Sequence, residues 1–374
     1  MAIKAETSFS LKDQLFNETS VSKLATGLRR AQPKFRDKEF LDKSLAAFPE
    51  LELKARIAFM ADLLAEFLPK DFGKAVAVLE KALPPPLDPA LTDDDFGEFI
   101  WSVPAEFVAQ RGCRAESLQT SLAFLREATQ RFSVENAIRP FLNAFPVETM
   151  AFIHACAADN NYHVRRLASE GIRPLLPWAP RVNLPLPDIV EVLAKLYRDP
   201  TRYVTRSVAN NLNDIAKIDP DLVVGTLASW PPGDVDEFAW LKNHALRTLL
   251  KHNDPGAMAL MGYLEAPVFR IAGVAMPDNV SVGDNLDWSA TLTSGADQRL
   301  RVTLRVHFLK ANGQHSPKVF ALADQAVTKG EKLNLKKRVS FRPMTTRTLY
   351  PGEHRIEVVV NGIARASRSF VLKG

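Results

Sequence analysis

The first two-thirds of the chain has apolar residues at the spacing of amphipathic helices. Apolar positions recur at i, i+3, i+4 and i+7 over residues 11–31 and in the run LELKARIAFMADLLAEFL (51–68), and Asp71 is suited to cap the helix that follows. The pattern stops in PPPLDPALTDDD (84–95), a proline-rich acidic loop, and resumes over residues 116–131. These residues predict a helical N-terminal region.

Beyond residue 264, apolar and polar residues alternate with the period of two that extended strands show. The segments NLDWSATLT, RLRVTLRVHFLK, KLNLKKRVSF, HRIEVVV and ASRSFVL follow this pattern, and SVGDN, ANGQHSP, YPGE and NG are turn signals between them. About seven short strands in roughly 105 residues are typical of an immunoglobulin-like β-sandwich, in which Tyr350 could act as a corner tyrosine. We therefore predict an α domain at 1–264 and a β-sandwich at 265–374.

Within the helical region, one segment recurs. VENAIRPFL (134–142), SEGIRPLL (169–176), ANNLNDIAK (209–217) and NHALRTLLK (243–251) align at Arg139, Arg173, Asn213 and Arg247, with spacings of 34, 40 and 34 residues. DNNYHVRRLAS (159–169) likewise matches DPTRYVTRSVA (199–209). Two-helix units of this length are typical of stacked HEAT-type solenoids, whose inner helices line a concave surface. The recurring arginines are therefore predicted to converge on that surface.

The segment DNNYHVRRLASEGIRPLLPW (159–178) concentrates charge on one helix face. Arg166, Glu170 and Arg173 are spaced i, i+4 and i+7, and Pro174 is predicted to end the helix because proline cannot continue the hydrogen-bond ladder. A solvated, ion-paired helix face would have the same pattern, so this segment alone leaves both interpretations open.

Charge is unevenly distributed along the 374 residues, whose formal net charge is +5. From residue 266 onward there are 17 Lys and Arg against 8 Asp and Glu, a net charge of +9, and the remaining residues carry 31 basic and 35 acidic groups, a net charge of −4. A basic β module on a mildly acidic helical region favours contact with a polyanion, although the charge could also serve solubility.

Several function classes are excluded by the motifs that the sequence lacks. The two cysteines, Cys113 and Cys156, are too few for a disulfide framework, and the start MAIKAETSFSLKDQLF has no signal-peptide pattern, so we expect a cytoplasmic protein without membrane association. There is no GxxxxGK phosphate loop, GxGxxG turn, HExxH pair or GxSxG elbow, and the seven histidines are scattered. Neither a metal nor a nucleotide cofactor is expected.

What remains is a set of carboxylates among arginines. Glu135 and Glu170 lie 35 residues apart at equivalent places in the repeat, and Asp214 follows in the next unit. Carboxylates kept ionised by arginines can stabilise an oxocarbenium-like transition state or activate water in glycosidic bond cleavage. The aromatic residues that could present π faces to a cationic base or sugar are Trp178, Trp101, Tyr162 and Tyr203. Intrahelical ion pairs of about 0.3–0.5 kcal/mol and ordinary core aromatic residues are the structural alternatives.

FSVENAIRPFL, YHVRRLASEGIRPLLPW and RSVANNLNDIAK together resemble the AlkC-type DNA alkylation repair glycosylases, relatives of AlkD, and FNETSVSKLATGLRRAQPKFRDKEF resembles the opening helices of that family. Some members carry an appended immunoglobulin-like domain. The resemblance implies a HEAT-like-repeat glycosylase that removes small cationic alkylated bases, chiefly N3-methyladenine and N3-methylcytosine, without flipping the base into a deep pocket. It also implies that the family acids correspond to Glu135, Glu170 and Asp214.

The chemistry of such lesions agrees with these residues. An N3-methylated purine already carries a positive charge, so its N-glycosidic bond is weak, and an enzyme need only stabilise the developing deoxyribosyl cation and position water. We therefore expect a monofunctional DNA-3-methyladenine glycosylase that acts without cofactor, as a monomer, on duplex DNA in the bacterial cytoplasm and nucleoid. The residues expected to contact phosphates are Arg139, Arg165, Arg166, Arg173, Arg202, Arg206, Arg247, Lys336, Lys337 and Arg338.

Two other functions stay open at this point. A non-catalytic DNA-binding or damage-sensing solenoid would have the same arginines, but would keep its function after Glu135 and Glu170 were neutralised. A protein-interaction scaffold would bind duplex DNA weakly and with little salt dependence, whereas a phosphate binder loses affinity steeply with salt. For Lys336, Lys337 and Arg338, the alternative is a charged edge strand protected against aggregation.

Overall fold

A computed structural model of the chain describes residues 10–91, 96–343 and 348–374, so the end of the predicted acidic loop, residues 92–95, lies outside the described residues. Within the described part of the chain, no helix is long and apolar enough to cross a membrane. The α-helices are α1 (Leu11–Leu15), α2 (Glu18–Ala31), α3 (Asp37–Ala47), α4 (Leu53–Phe67), α5 (Phe72–Ala82), α6 (Ser102–Gly112), α7 (Leu118–Ala128), α8 (Arg139–Ala144), α9 (Pro146–Cys156), α10 (Tyr162–Glu170), α11 (Leu186–Leu196), α12 (Arg202–Ile215), α13 (Pro220–Ser229), α14 (Val235–His252) and α15 (Pro255–Leu260).

The N-terminal helices follow the predicted pattern with one interruption. The helix predicted over residues 11–31 is two helices, because Asn17 starts a new one: its side chain accepts from the Ser20 backbone N–H at 3.1 Å, and Ser20 Oγ accepts from the Asn17 N–H at 3.0 Å. α4 occupies the run predicted at 51–68. Asp71 caps α5 as predicted, by accepting from the Lys74 N–H at 2.9 Å.

Helix pairs succeed one another through the second half of the helical region. α10 packs against α9 and α12, and α12 packs against α11 and α13, which is the nearest-neighbour packing of a repeat array. Ion pairs connect successive units at nearly constant spacing: Arg126 contacts Asp159, 33 residues away, and Arg165 contacts Asp199, 34 residues away.

α10 ends earlier than Pro174, where the sequence predicted its end. The helix stops at Glu170, and the chain turns through residues 171–178. Gly171 permits this turn to lie close to its neighbours, because a Cβ there would be 2.8 Å from the Ile138 side chain and 3.0 Å from the Leu167 carbonyl oxygen. The close approach brings the turn that follows α10 next to the turn that precedes α8.

The C-terminal region is a β-sandwich of the immunoglobulin-like kind, as predicted. Its sheets have the strand orders β1-β3-β6 and β2-β8-β7-β4-β5, with antiparallel neighbours except for the parallel pair β2 and β8. Apolar side chains such as Trp288, Leu304 and Phe341 fill the space between the sheets. The strands are β1 (Phe269–Ala275), β2 (Asn279–Ser281), β3 (Asn285–Ser294), β4 (Gln298–Leu309), β5 (His315–Val327), β6 (Lys332–Ser340), β7 (Gly352–Val360) and β8 (Ile363–Lys373).

The chain divides into two compact units between Ala245 and Leu246, within α14. The predicted boundary after residue 264 follows the change from helix to strand instead, and it stays a prediction. Tyr350, the predicted corner tyrosine, has its main-chain carbonyl oxygen 3.0 Å from His354 Nε2. This contact does not involve the hydroxyl, so the corner role stays a prediction.

Candidate active site

Helix α10 positions the first two residues of the site. Asn161 begins the helix by accepting a hydrogen bond from the His163 backbone N–H at 2.9 Å, and the apolar face of α10 is buried. Arg166 and Glu170 lie one turn apart, with Arg166 Nη2 at 3.7 Å from Glu170 Oε1. The two opposite charges therefore face each other across one helical turn.

Glu170 is a buried carboxylate with partners on both oxygens. Its side chain is only 6% exposed; Oε1 accepts from Arg173 Nη1 at 2.7 Å, and Oε2 accepts from Ser207 Oγ at 2.6 Å. Burial by itself would raise the pKa of Glu170, but the positive charges of Arg166 and Arg173 and the hydrogen bonds from Ser207 and Arg173 outweigh it and lower the pKa. Glu170 is therefore ionised at neutral pH.

Arg173 connects Glu170 to a second buried carboxylate. Its Nε donates to Asp214 Oδ2 at 2.9 Å, and Lys217 Nζ donates to Asp214 Oδ1 at 3.1 Å. The Asp214 side chain is 2% exposed, whereas that of Lys217 is 40% exposed. Of this pair, the Lys217 ammonium is therefore the charge that reaches solvent.

The third predicted carboxylate, Glu135, lies in a turn rather than in a helix. α8 begins only at Arg139, where Pro140 in its first turn suits a helix start. Glu135 accepts a hydrogen bond from Ser133 Oγ, and its Oε2 lies 3.8 Å from Arg166 Nη1, which itself donates to Ser133 Oγ at 2.6 Å. At 22% exposure, its side chain is more accessible than those of the other two carboxylates.

Six charged groups from three successive repeat units thus meet. We refer to them as the carboxylate–arginine cluster: Glu135, Arg166, Glu170, Arg173, Asp214 and Lys217. Its three negative and three positive charges balance, which is how a protein keeps buried carboxylates ionised without a net buried charge. Within the described residues, no three or more His, Cys, Asp and Glu side chains are arranged to hold a metal ion.

Two predicted aromatic contacts, Tyr162 and Tyr203, belong to the core beneath the cluster. Each is 3% exposed, and their rings meet edge to face at 5.9 Å. The Arg166 guanidinium lies over the Tyr203 ring, 4.4 Å from its centroid. Burial raises the pKa of Tyr203, and its hydroxyl meets no hydrogen-bond partner among the residues that the structure describes. The expectation that these faces are open to a lesion is corrected by their burial.

The two predicted tryptophans differ in their surroundings. Trp101 is 5% exposed and packs close to Gly27, in the N-terminal helices, so it is a core residue. Trp178 is 85% exposed and has a backbone φ of 57°, in the left-handed region that a bulky residue rarely adopts. An exposed aromatic ring on a strained backbone, eight residues after Glu170, fits a contact with a ligand better than a packing role.

Two of the arginines expected to bind phosphate are occupied inside the protein. Arg139 is fully buried and donates to the main-chain carbonyls of Pro180, Gly171 and Arg173 at 2.5, 2.9 and 3.0 Å. Burial lowers its pKa to about 10. Arg165 donates to both oxygens of Asp199 and to two carbonyls at the start of α10. Neither guanidinium is available to DNA in this structure, because Arg139 is fully buried and the donors of Arg165 are bound to Asp199 and to main-chain carbonyls.

Other predicted arginines lie nearer the surface of α12 and α14. Arg202 contacts Glu237 and lies over the Trp240 ring, 3.9 Å from its centroid, while Trp240 stacks on His244 at 5.1 Å. Arg206 is partly exposed and Arg247 is exposed. Sequence reasoning missed Trp240, although its spacing of i, i+4 and i+7 with His244 and Arg247 on one helix was visible.

The predicted basic triplet lies on β6 of the three-stranded sheet. Lys336 and Arg338 are exposed and Lys337 is partly exposed. Arg338 pairs with Asp287 on β3 at 2.7 Å, and Lys337 lies over the Phe320 ring at 5.5 Å. Arg338 is therefore partly neutralised by a carboxylate, whereas the ammonium of Lys337 faces an aromatic ring.

Three residues of the cluster region had no place in the sequence prediction: Ser133, Ser207 and Lys217. Lys217 is three residues after Asp214, so helical spacing alone could have suggested the pair. Ser207 gave no such signal, because α12 contributes it and it meets Glu170 only through tertiary packing. Ser133 is two residues from Glu135 in sequence, but its contact with Arg166 depends on the packing of two repeat units.

Known proteins resemble the chain over most of its length. Residues 270–374 match the family model described as the C-terminal Ig-like domain of the uncharacterised protein YhaZ. Over 362 residues the chain is 34% identical to the uncharacterized protein YhaZ of Bacillus subtilis (strain 168), covering 96% of this chain and 98% of YhaZ. It also matches the structure of Pseudomonas fluorescens alkylpurine DNA glycosylase AlkC bound to DNA containing an abasic site analog, with 31% identity, a TM-score of 0.84, and coverage of 98% of this chain and 100% of that chain.

Proposed function

The chain belongs to the family that includes B. subtilis YhaZ and P. fluorescens AlkC, and we propose from this membership and from the cluster that it is a DNA glycosylase. Its proposed reaction is hydrolysis of the N-glycosidic bond of cationic alkylated bases, N3-methyladenine and N3-methylcytosine, in duplex DNA. The observation that carries the proposal is the buried, ionised Glu170 beside the more accessible Glu135, with Arg166 between them.

The proposed reaction depends on negative charge in the site more than on a proton donor. A cationic base is already a good leaving group, so the transition state needs stabilisation of the developing positive charge on the deoxyribose and a positioned water. The neighbouring arginines and Ser207 keep Glu170 ionised despite its burial, so it is unsuited to act as a general acid at neutral pH. The arrangement therefore favours lesions that leave without protonation, and discriminates against neutral bases.

The three carboxylates receive different roles in this proposal. Glu135 has the most accessible side chain, so we assign it to the water or to the sugar cation. Glu170 lies deeper and supplies fixed negative charge, while Arg166 orients both carboxylates. Asp214 is almost fully buried and paired with Arg173 and Lys217, so its role is to orient Arg173. Arg166 and Arg173 then serve the carboxylates rather than phosphates.

DNA binding is assigned to the groups that remain accessible. Trp178 is proposed to contact the lesion or sugar, and Arg202, Arg206 and Arg247 are proposed to contact phosphates. Lys336 and Lys337 of the β-sandwich would add phosphate contacts. P. fluorescens AlkC was bound to DNA in the similar structure, which supports DNA as the partner. The proposal leaves the base unflipped, as the resemblance to AlkC-type glycosylases implies, and Trp101, Tyr162 and Tyr203 are buried and give a flipped base no contact.

The test is release of methylated base from alkylated duplex DNA by wild type, Glu135→Gln and Glu170→Gln. We expect wild type to release N3-methyladenine, and each variant to lose about 10²–10³-fold in rate, the range for removing one preorganised electrostatic contact. Affinity for DNA containing an abasic analogue should stay within a few-fold. Lys23→Gln, which removes a surface ion pair with Glu98, is the control and should keep the wild-type rate.

Two outcomes would contradict the glycosylase. Wild type that binds DNA in a salt-dependent manner but releases no methylated base would be a damage sensor. Wild type whose affinity for DNA is weak and insensitive to salt would be an interaction scaffold.

A further inference from the structure

A cavity of about 390 Å³ lies next to Glu135. Its walls come from α4, from residues 99–110, which contain most of α6, and from the segment 132–137, which carries Glu135. The volume falls in the range of roughly 300–1,000 Å³ that small-molecule sites occupy. Glu135 thus borders both this cavity and the carboxylate–arginine cluster.

The apolar walls of the cavity suit a flat aromatic ligand. Phe99 and Phe132 both line it, with ring centroids 4.7 Å apart and planes tilted by 53°, and both rings are partly exposed. Ala58, Ala105 and Ala109 line other parts of the wall, and their short side chains leave the interior open. Aromatic faces and small apolar residues stabilise a planar ring by stacking and burial.

The charged groups of the cavity are mainly hydrogen-bond acceptors. Glu135 and Glu106 are two carboxylates against one ammonium, Lys54, so the lining carries a net negative charge. Ser102 lines the cavity, and its Oγ is buried without a hydrogen-bond partner among the described residues, so rotation about χ1 could turn the hydroxyl toward a ligand without breaking a hydrogen bond. This charge balance disfavours phosphates and nucleotides, and favours an uncharged or cationic heterocycle with N–H donors.

We propose that this cavity binds a free methylated nucleobase of the N3-methyladenine type. The proposal rests on the proposed glycosylase function, because base release beside Glu135 would supply such a ligand at the mouth of the cavity. The amino group of the base would donate to Glu135, its ring would contact Phe99 and Phe132, and Ser102 would complete the hydrogen bonds. Retention of the released base there would make the enzyme subject to inhibition by its own product.

The test is isothermal titration calorimetry, in which N3-methyladenine is titrated into the full-length chain without DNA. We expect one saturable site in wild type. Ala58→Phe, which fills the cavity, should weaken binding at least tenfold, and Ser102→Ala should weaken it several-fold without lowering the Tm, because its hydroxyl loses no partner among the described residues. Ala55→Phe, on the exposed side of the same helix, is the matched control and should bind like wild type.

The outcomes separate this inference from the glycosylase function. The nucleobase site would be refuted if wild type releases base from DNA but shows no saturable binding of free N3-methyladenine. Equal affinities in Ala58→Phe, Ser102→Ala and Ala55→Phe would also refute it. Neither result would contradict the glycosylase function. If the chain binds the free base but releases none from DNA, the nucleobase site is supported and only the glycosylase function is refuted. A repeat with duplex DNA containing an abasic analogue should leave affinity for the base unchanged; loss of binding there would assign the space to DNA and overturn a separate product site.

Discussion

Replacing Arg173 with methionine should remove the central cation from two buried carboxylates. Arg173 lies 2.7 Å from Glu170 and 2.9 Å from Asp214, and its side chain is 10% exposed. Breaking a buried ion pair on one side costs about 3–5 kcal/mol, because the remaining charge is left without compensation. Glu170 keeps Arg166 and Ser207, and Asp214 keeps Lys217, so we expect the lower end, about 3 kcal/mol. For a unit of 150–250 residues this corresponds to a fall in Tm of roughly 6–12 °C.

The loss of stability should depend on pH in a defined direction. The folded-state pKa of Glu170 is below its ordinary value, so the stability it contributes is present above the unfolded pKa of about 4.3 and is lost as pH falls through the lower folded pKa. In Arg173→Met, burial remains while one cation is gone, so the pKa of Glu170 rises. The difference in unfolding free energy between wild type and variant should therefore be largest near neutral pH, and should shrink as Glu170 becomes protonated.

Urea unfolding followed by far-ultraviolet circular dichroism measures this difference, because the helices dominate the signal. Arg111→Met is the matched control: Arg111 pairs with Asp62 at 3.1 Å, but the two side chains are 44% and 66% exposed, so its removal should cost less than about 1 kcal/mol. An Arg173→Met variant that loses no more stability than this control, or the same amount at acidic and neutral pH, would refute the reasoning.

Two further predictions concern residues at the edges of the site. Arg139→Leu should lower the free energy of unfolding by roughly 3 kcal/mol or more, because three carbonyls lose a buried donor; the folded variant should keep its affinity for DNA in fluorescence anisotropy, and a selective loss of affinity would show that Arg139 reaches a phosphate. Lys336→Ser with Lys337→Ser should weaken DNA binding and reduce the slope of log affinity against log salt by about 0.9 per lost contact; an unchanged slope would mean that β6 carries surface charge only.

The regular parts of the fold were predictable because they depend on local patterns. Helical periodicity predicted α4, the capping residue Asp71 predicted the start of α5, and the alternation of apolar and polar residues predicted the β-sandwich. The pairing of Arg166 with Glu170 followed from i, i+4 spacing. Spacing could not show that Glu135 lies in a turn, since its segment aligns with helical repeats and its distance from Arg166 depends on how two repeat units pack.

Burial of polar and aromatic side chains was the main error, and it has a physical reason. α12 is covered on most sides, so Tyr203 and Val204 are both buried although they are adjacent in sequence. The spacing of apolar residues in this helix therefore does not show which side chains are exposed. Arg139 resembles a surface arginine in sequence, yet it satisfies carbonyls in the irregular segment 171–180, where no helix supplies donors. The requirement of these carbonyls for a hydrogen-bond donor arises from tertiary structure and leaves no local pattern in the sequence.

Inter-repeat contacts explain how carboxylates 79 residues apart, Glu135 and Asp214, come to share one cluster. Arg165 binds Asp199 of the next unit and carbonyls at the start of its own helix, which sets α10 in register with the turn before α12. Arg166 and Glu170 follow on the same helix, and a shift of one residue would rotate them by about 100° and separate them from Glu135 and Ser207. Arg165 therefore acts on the site by holding the register of α10, and the recurrence of Asp159 at Asp199 is the sequence trace of that contact.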